Sequence, residues 1–396
     1  MSGSDNKTTH RLRTRLVHSG HDVDTSRGFV NVPAFRGSTV LYPDAASLKS
    51  INQRYTYGTH GTPTTDALAS AWSELAGAAG TAMTPSGLAA IAMALQTALK
   101  AGDHLLMTDS AYFPARRFAE RVLRPLGVET TYYDPTIGAG VGALIRENTR
   151  AILTEAPGSQ SLEMQDIPAI AEAVHARDVC VIMDNTWATP IFFPPHAHGV
   201  DLAIEAGTKY LSGHSDLLLG LISANEKWWP RLKAYVDLYA IPPGPEDCFL
   251  ALRGLRTMEL RLKEVERQAL TLARWLETRE EVLRVIHPAL ANHPGHEIWK
   301  RDFLGSSGLF SVVLKPVPDA AVAAFLDGLQ LFGLGYSWGG YESLVIPFDC
   351  STYRTATRWA PGGPAIRLQI GLEDLEDLKA DLEQGFARLV EAARAA

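Results

Sequence analysis

From about residue 64 onward the hydrophobic positions fall into short blocks separated by polar, Gly- and Pro-containing segments. Residues 88–99 form an apolar run too long for a typical strand, which predicts a buried helix. The shorter apolar runs at 104–107, 151–153, 179–183, 201–204 and 217–223 predict strands. Strands alternating with helical segments imply an α/β fold built on a mostly parallel, doubly wound sheet. A long charged, amphipathic stretch at 248–279 follows, then the segment 305–314 and a C-terminal helix from about Leu372, which together suggest a smaller C-terminal α+β domain. The first sixty or so residues carry only short apolar runs, as in Phe29-Val30-Asn31-Val32-Pro33, and read as an extended arm. The expected division is an arm at 1–62, a large domain at 63–252 and a smaller domain at 253–396.

Composition narrows the function without naming it. The formal charge is −7, and no long basic run accompanies it, which argues against nucleic-acid and anionic-membrane partners. No segment approaches the roughly 18 uninterrupted apolar residues of a membrane helix. The three cysteines, Cys180, Cys248 and Cys350, are odd in number and widely spaced, so neither a disulfide framework nor a four-cysteine zinc site is available. No apolar signal segment follows Met1, and the expected compartment is the cytoplasm. Small-molecule chemistry is the expectation.

In an open parallel sheet, ligands bind beyond the carboxyl ends of the strands, so the residues just after each apolar run carry the information. The run 179–183 ends in Asp184-Asn185-Thr186-Trp187, where an aspartate could hold a pyridinium nitrogen protonated. The next run leads to Gly207-Thr208-Lys209, where an amine among small residues could form an imine with an aldehyde cofactor. Upstream, Thr84-Pro85-Ser86-Gly87 opens the helix at 88–99, and free N–H groups at a helix start suit a phosphate. Tyr112, after the run at 104–107, offers a ring to stack on a planar heterocycle. Each feature alone has an ordinary explanation: lysines usually face solvent, Asp184 and Ser86 could cap helices, and Trp228-Trp229 could pack a helix. Together they are the parts by which a protein tunes pyridoxal phosphate. His196, His198, His287, His293 and His296 lack the i,i+4 helical pairing and acidic neighbours of a metal site, so no metal is expected.

The strings DNTWATP, GTKYLSGHSD, YSWGGYES and KRDFLGSSGLFS resemble the transsulfuration (Cys/Met metabolism) family of pyridoxal-phosphate enzymes, and within it the cystathionine β-lyases. The resemblance runs from roughly residue 12 to 390. It implies an aspartate-aminotransferase-like fold and a homotetramer of two active dimers, in which each arm reaches the neighbouring subunit's site. It implies pyridoxal 5′-phosphate carried by Lys209, with Asp184 on the pyridine nitrogen and Tyr112 stacked on the ring. Gly87 and Leu88 by backbone N–H, and Thr208 by its hydroxyl, would bind the phosphate. Lys209, Tyr112 and Asp184 would be catalytic. Arg367, with its bidentate fork, would grip the substrate α-carboxylate, Ser337 and Trp338 would line the substrate side, and Tyr57 would reach the neighbour's cofactor and substrate. The implied activity is β-elimination from a sulfur amino acid, cystathionine, cystine or cysteine, giving a thiol, pyruvate and ammonia. A γ-lyase, γ-synthase, racemase or cysteine desulfhydrase outcome, or a weakly active regulatory homologue, is the alternative. The chain departs from the family at Thr59, where an arginine that binds the cofactor phosphate across the dimer is usual; His60 follows it.

Overall fold

The computed structural model describes residues 10–21 and 26–395. Its centre is a seven-stranded sheet made from β1 (Gly80–Thr84), β2 (His104–Thr108), β3 (Glu129–Tyr133), β4 (Thr149–Glu155), β5 (Cys180–Asp184), β6 (Leu202–Ala206) and β7 (Gly220–Ala224). The strands lie in the order β1-β7-β6-β5-β4-β2-β3. All run in one direction except β7, which is antiparallel to both neighbours. The run at 217–223 therefore does form a strand, reversed relative to its neighbours. Helices cover both faces, so β2 and β5 are apolar on both sides rather than alternating. On one face the helix Gly87–Ala98 buries Ala90, Ile91, Ala94 and Leu95 against Leu105, Ile182, Ile204 and Ile222. Truncating Ile91 or Leu95 to alanine would cost about 2–5 kcal/mol. The helices Pro63–Ala76 and Ile167–His175 share the apolar cluster that covers the opposite face.

The second sheet joins β8 (Val282–Ile286), β9 (Leu309–Leu314), β10 (Gly333–Leu334), β11 (Leu344–Phe348) and β12 (Ala365–Gln369) in the order β10-β11-β12-β9-β8. Only its β10–β11 pair is parallel. The helices Met258–Leu276 and Leu375–Ala395 supply Leu262, Leu272, Leu382 and Phe386 to the apolar cluster that also holds Phe310 and Val312. The amphipathic stretch at 248–279 is two helices, Pro245–Leu255 and Met258–Leu276. Near their junction Gly254 packs so closely that a Cβ there would lie 2.2 Å from the Leu211 carbonyl oxygen.

The arm is less extended than its sequence implied. Leu12–His18 is a helix that buries Leu16, and Arg256 donates to the carbonyls of Leu16 and Ser19 at 2.6 and 2.8 Å. Further along, Thr39 and Tyr57 form a single antiparallel bridge, and Phe29, Val30 and Leu41 stay exposed.

Candidate active site

The carboxyl ends of β4, β5 and β6 and the start of the helix Gly87–Ala98 open into a cavity of about 540 Å³. Nine of the ten residues expected at the site line it: Gly87, Leu88, Tyr112, Asp184, Thr208, Lys209, Ser337, Trp338 and Arg367. The tenth, Tyr57, stands half exposed on the arm and does not line the cavity of its own chain.

The helix start at this cavity is built by close packing. Ser86 caps the helix, its Oγ accepting the Ala89 N–H at 3.2 Å, which leaves first-turn N–H groups of Gly87 and Leu88 without intrahelical partners. Gly87 is required by space, since a Cβ there would lie 2.8 Å from the Ala206 Cβ. Thr208 Oγ1 accepts the Leu219 N–H at 3.0 Å and donates to the Leu219 carbonyl at 3.3 Å, so donating to a phosphate means giving up that long bond.

Two carboxyls, Glu155 and Asp184, also line the cavity. The ladder pairs Glu155 with Asp184, so two acids sit side by side at adjacent strand ends. Asp184 Oδ1 accepts from the Thr186 N–H at 3.0 Å and its hydroxyl at 2.6 Å, and the Thr186 oxygen is itself held by the Ala206 N–H at 2.9 Å. Burial raises the Asp184 carboxyl above its ordinary value, against the pull of the Thr186 donors and of Lys209. Burial, followed by repulsion from Asp184, pushes Glu155 well up. Glu155 Oε2 accepts the Tyr112 N–H at 2.7 Å and so fixes the backbone from which the Tyr112 ring projects. Burial, then the charges of Asp184 and Glu155, raises the Tyr112 phenol, which keeps it protonated.

Lys209 lines the same cavity. Burial first, then repulsion from Arg367, lowers its ammonium to about 8, while Asp184 opposes the shift. Its Nζ donates to Ser337 Oγ at 2.5 Å and lies 5.3 Å from the centre of the Trp338 ring. Ser337 adopts a left-handed φ of 82°, a strained conformation for a residue with a side chain, and Arg367 donates to its carbonyl at 2.8 Å. Gly339, also left-handed, packs against the backbone of Lys209, where a Cβ would come within 3.0 Å. Arg367 projects from β12 of the second sheet, so the site spans both sheets.

Sequence reasoning missed Glu155, Tyr336 and Tyr353, which also line the cavity. Glu155 had a usable signal, its place at the end of the apolar run at 151–153. It missed Glu205 as well: this side chain is buried, and neither carboxyl oxygen has a hydrogen-bond partner among the described residues. His287 and His293 are buried and accept backbone N–H groups of Ala289 and Gly295, and burial brings them down to about 3 and 4 respectively.

The donor set fits pyridoxal phosphate. A helix N-terminus cleared by Gly87, an acid, an aromatic ring and an amine of lowered basicity line one cavity. Comparison with known proteins agrees. A relative from Rhizobium johnstonii is 53% identical over 380 residues, covering 95% of this chain and 96% of its own length. The cystathionine beta-lyase MetC of Escherichia coli is 40% identical over 391 residues, covering 96% and 99%. The crystal structure of metB from Corynebacterium glutamicum superposes with a TM-score of 0.89 at 30% identity, covering 97% of this chain and all of that one. The family model for Cys/Met metabolism PLP-dependent enzymes matches residues 13–387, and the chain belongs to that family.

Proposed function

We propose that the protein is a pyridoxal-phosphate-dependent carbon–sulfur β-lyase that splits a sulfur amino acid, cystathionine, cystine or cysteine, into a thiol, pyruvate and ammonia. The observation that carries the reading is Lys209, an amine brought down to about 8 between the Asp184 acid and the Arg367 guanidinium. Relatives named cystathionine beta-lyase, from Escherichia coli and Salmonella typhimurium among others, favour β- over γ-elimination. When bound, the cofactor supplies an electron sink for the charge left at the substrate Cα. Lys209 holds the cofactor until substrate arrives and then serves as the base at Cα. Asp184 keeps the ring nitrogen protonated, and the Thr186 donors orient its carboxylate. Tyr112 would stack on the ring, and Tyr112 or Lys209 would supply a proton to the departing sulfur; burial keeps the phenol protonated. The Gly87 and Leu88 N–H groups and the Thr208 hydroxyl hold the phosphate.

Arg367 grips the α-carboxylate from the second sheet, and Ser337 and Trp338 wall the substrate side. The two sheets support a division into an arm at 1–62, a cofactor domain at 63–252 and a smaller domain at 253–396. The exposed apolar residues of the arm support its docking on a second copy, where Tyr57 would enter the neighbour's site in a homotetramer of two active dimers. Among the described residues no helix is long and apolar enough to cross a membrane, which fits a cytoplasmic enzyme. The test is a visible spectrum of the purified protein and a pyruvate assay with the three substrates, for wild type and Lys209→Ala. Wild type should show a visible band and release pyruvate, and Lys209→Ala should lose both. Release of 2-oxobutyrate from cystathionine instead would replace β- with γ-elimination.

A further inference from the structure

We propose that the loop 349–364 is a strap, pinned across the mouth of the cavity by Asp109 and Glu163, and that through Tyr353 it limits the size of the group that a substrate carries on sulfur. The substrate class rests on the lyase reading above; the strap itself rests on separate contacts. The loop joins β11 to β12, whose last ladder pair is Phe348 with Ala365, and a connection this long without regular structure is usually functional.

Two anchors tie it to loops of the large sheet. Asp109, directly after β2, is fully buried and accepts the N–H groups of Thr355, Ala356 and Thr357 at 3.0, 3.1 and 2.8 Å, as well as the Thr357 hydroxyl at 2.7 Å. Arg116 completes this anchor. It donates to Asp109 at 2.8 Å and to the Tyr353 carbonyl at 2.6 Å, with its guanidinium 3.6 Å from the centre of the Tyr132 ring. At the second anchor Arg354 forks onto Glu163 at 2.6 and 3.0 Å and reaches Ser161 Oγ at 2.6 Å. Charge-assisted contacts of this kind are the strong ones, and losing one partner strands the other in a buried place.

Tyr353 is held between the anchors. Its ring lies 4.9 Å from that of Phe113, both line the cavity, and its hydroxyl donates to Cys350 Sγ at 3.0 Å. The phosphate, the ring nitrogen and the α-carboxylate claim the helix start, Asp184 and Arg367, which leaves Phe113 and Tyr353 among the walls, with Gln160, Leu218 and Tyr336, that can meet whatever extends beyond sulfur. Arg354, beside Tyr353, is spent on Glu163, and the strap residue that lines the cavity is Tyr353 itself, so the wall it offers is a ring rather than a charge. It therefore reads bulk. Tyr353 is the specificity-determining residue, and Asp109 is a positioning residue that acts through it.

The experiment uses the holoenzyme and two probes, S-methyl-L-cysteine and S-benzyl-L-cysteine. Dissociation constants are read from the change each causes in the visible band, and kcat/KM from pyruvate release. Tyr353→Ala should shift both ratios toward the benzyl substrate by about tenfold or more, mainly in Kd and KM, with the cofactor band retained. Tyr353→Phe should leave the ratios as they are, because the ring and not the hydroxyl forms the wall. Asp109→Asn should shift the ratios in the same direction and expose the loop to trypsin after Arg354 or Arg358. Unchanged ratios in a cofactor-replete Tyr353→Ala protein overturn the proposal, and an Asp109→Asn protein with unchanged ratios and intact protease resistance overturns the anchoring. If wild type binds both probes yet releases no pyruvate, the lyase reading fails, while the binding ratios still decide the strap.

Discussion

Apoprotein mixed with pyridoxal phosphate across a range of pH tests the state of Lys209 directly. Only a neutral amine attacks an aldehyde carbon. Burial and the Arg367 charge together bring Lys209 from 10.5 to about 8. At pH 7 that leaves about one amine in eleven neutral, against roughly one in three thousand for an ordinary lysine, a gain of about 300-fold in competent nucleophile. The initial rate of growth of the visible band, followed by stopped flow, should rise about tenfold per pH unit below pH 8 and level off above about pH 9. Arg367→Leu removes the second cause and leaves the first. Its midpoint should move up while staying below the value of a free lysine. A wild-type rate that keeps climbing past pH 10 would show a solvated ammonium and refute the argument, and so would a midpoint lowered in Arg367→Leu.

Three further outcomes are expected. Asp184→Asn should keep cofactor bound but lose most turnover, because an amide cannot hold a ring nitrogen charged; a loss within about threefold, roughly 0.7 kcal/mol of barrier, would remove Asp184 from that role. Burial and the neighbouring Asp184 hold Glu205 protonated well above 4.5, so as pH rises past that value the folded state keeps a proton the unfolded chain has lost, and stability falls by up to about 1.4 kcal/mol per pH unit. Glu205→Gln should accordingly show a smaller drop in Tm between pH 6 and 8 at fixed cofactor, and an equal drop would assign the slope elsewhere. Thr59→Arg should tighten cofactor binding roughly ten- to a hundredfold if the arm enters the neighbour's site, since a hydrogen bond to a charged group contributes about 1.5–3 kcal/mol, and a titration with pyridoxal phosphate showing no change would remove the arm from that site.

What the linear chain determined by itself is local. Apolar runs of strand length mark β2, β4, β5 and β6, since burial on both sheet faces demands continuous hydrophobicity. The residues after those runs mark Tyr112, Asp184 and Lys209, because a parallel sheet delivers its strand ends to one edge. Direction was not legible for β7, as an apolar run reads the same in either orientation. Nor was the Glu155 and Asp184 pair, whose adjacency is a property of ladder register between β4 and β5. Tertiary structure alone decided the basicity of Lys209, which depends on water excluded by residues distant in sequence and on Arg367 arriving from another sheet. It alone decided the contact of Asp109 with Thr355, Ala356 and Thr357, whose donors are backbone N–H groups that every residue but proline carries. Side-chain identity cannot announce such a contact; it exists only once folding has brought a buried carboxylate to a loop that has no ladder to satisfy it.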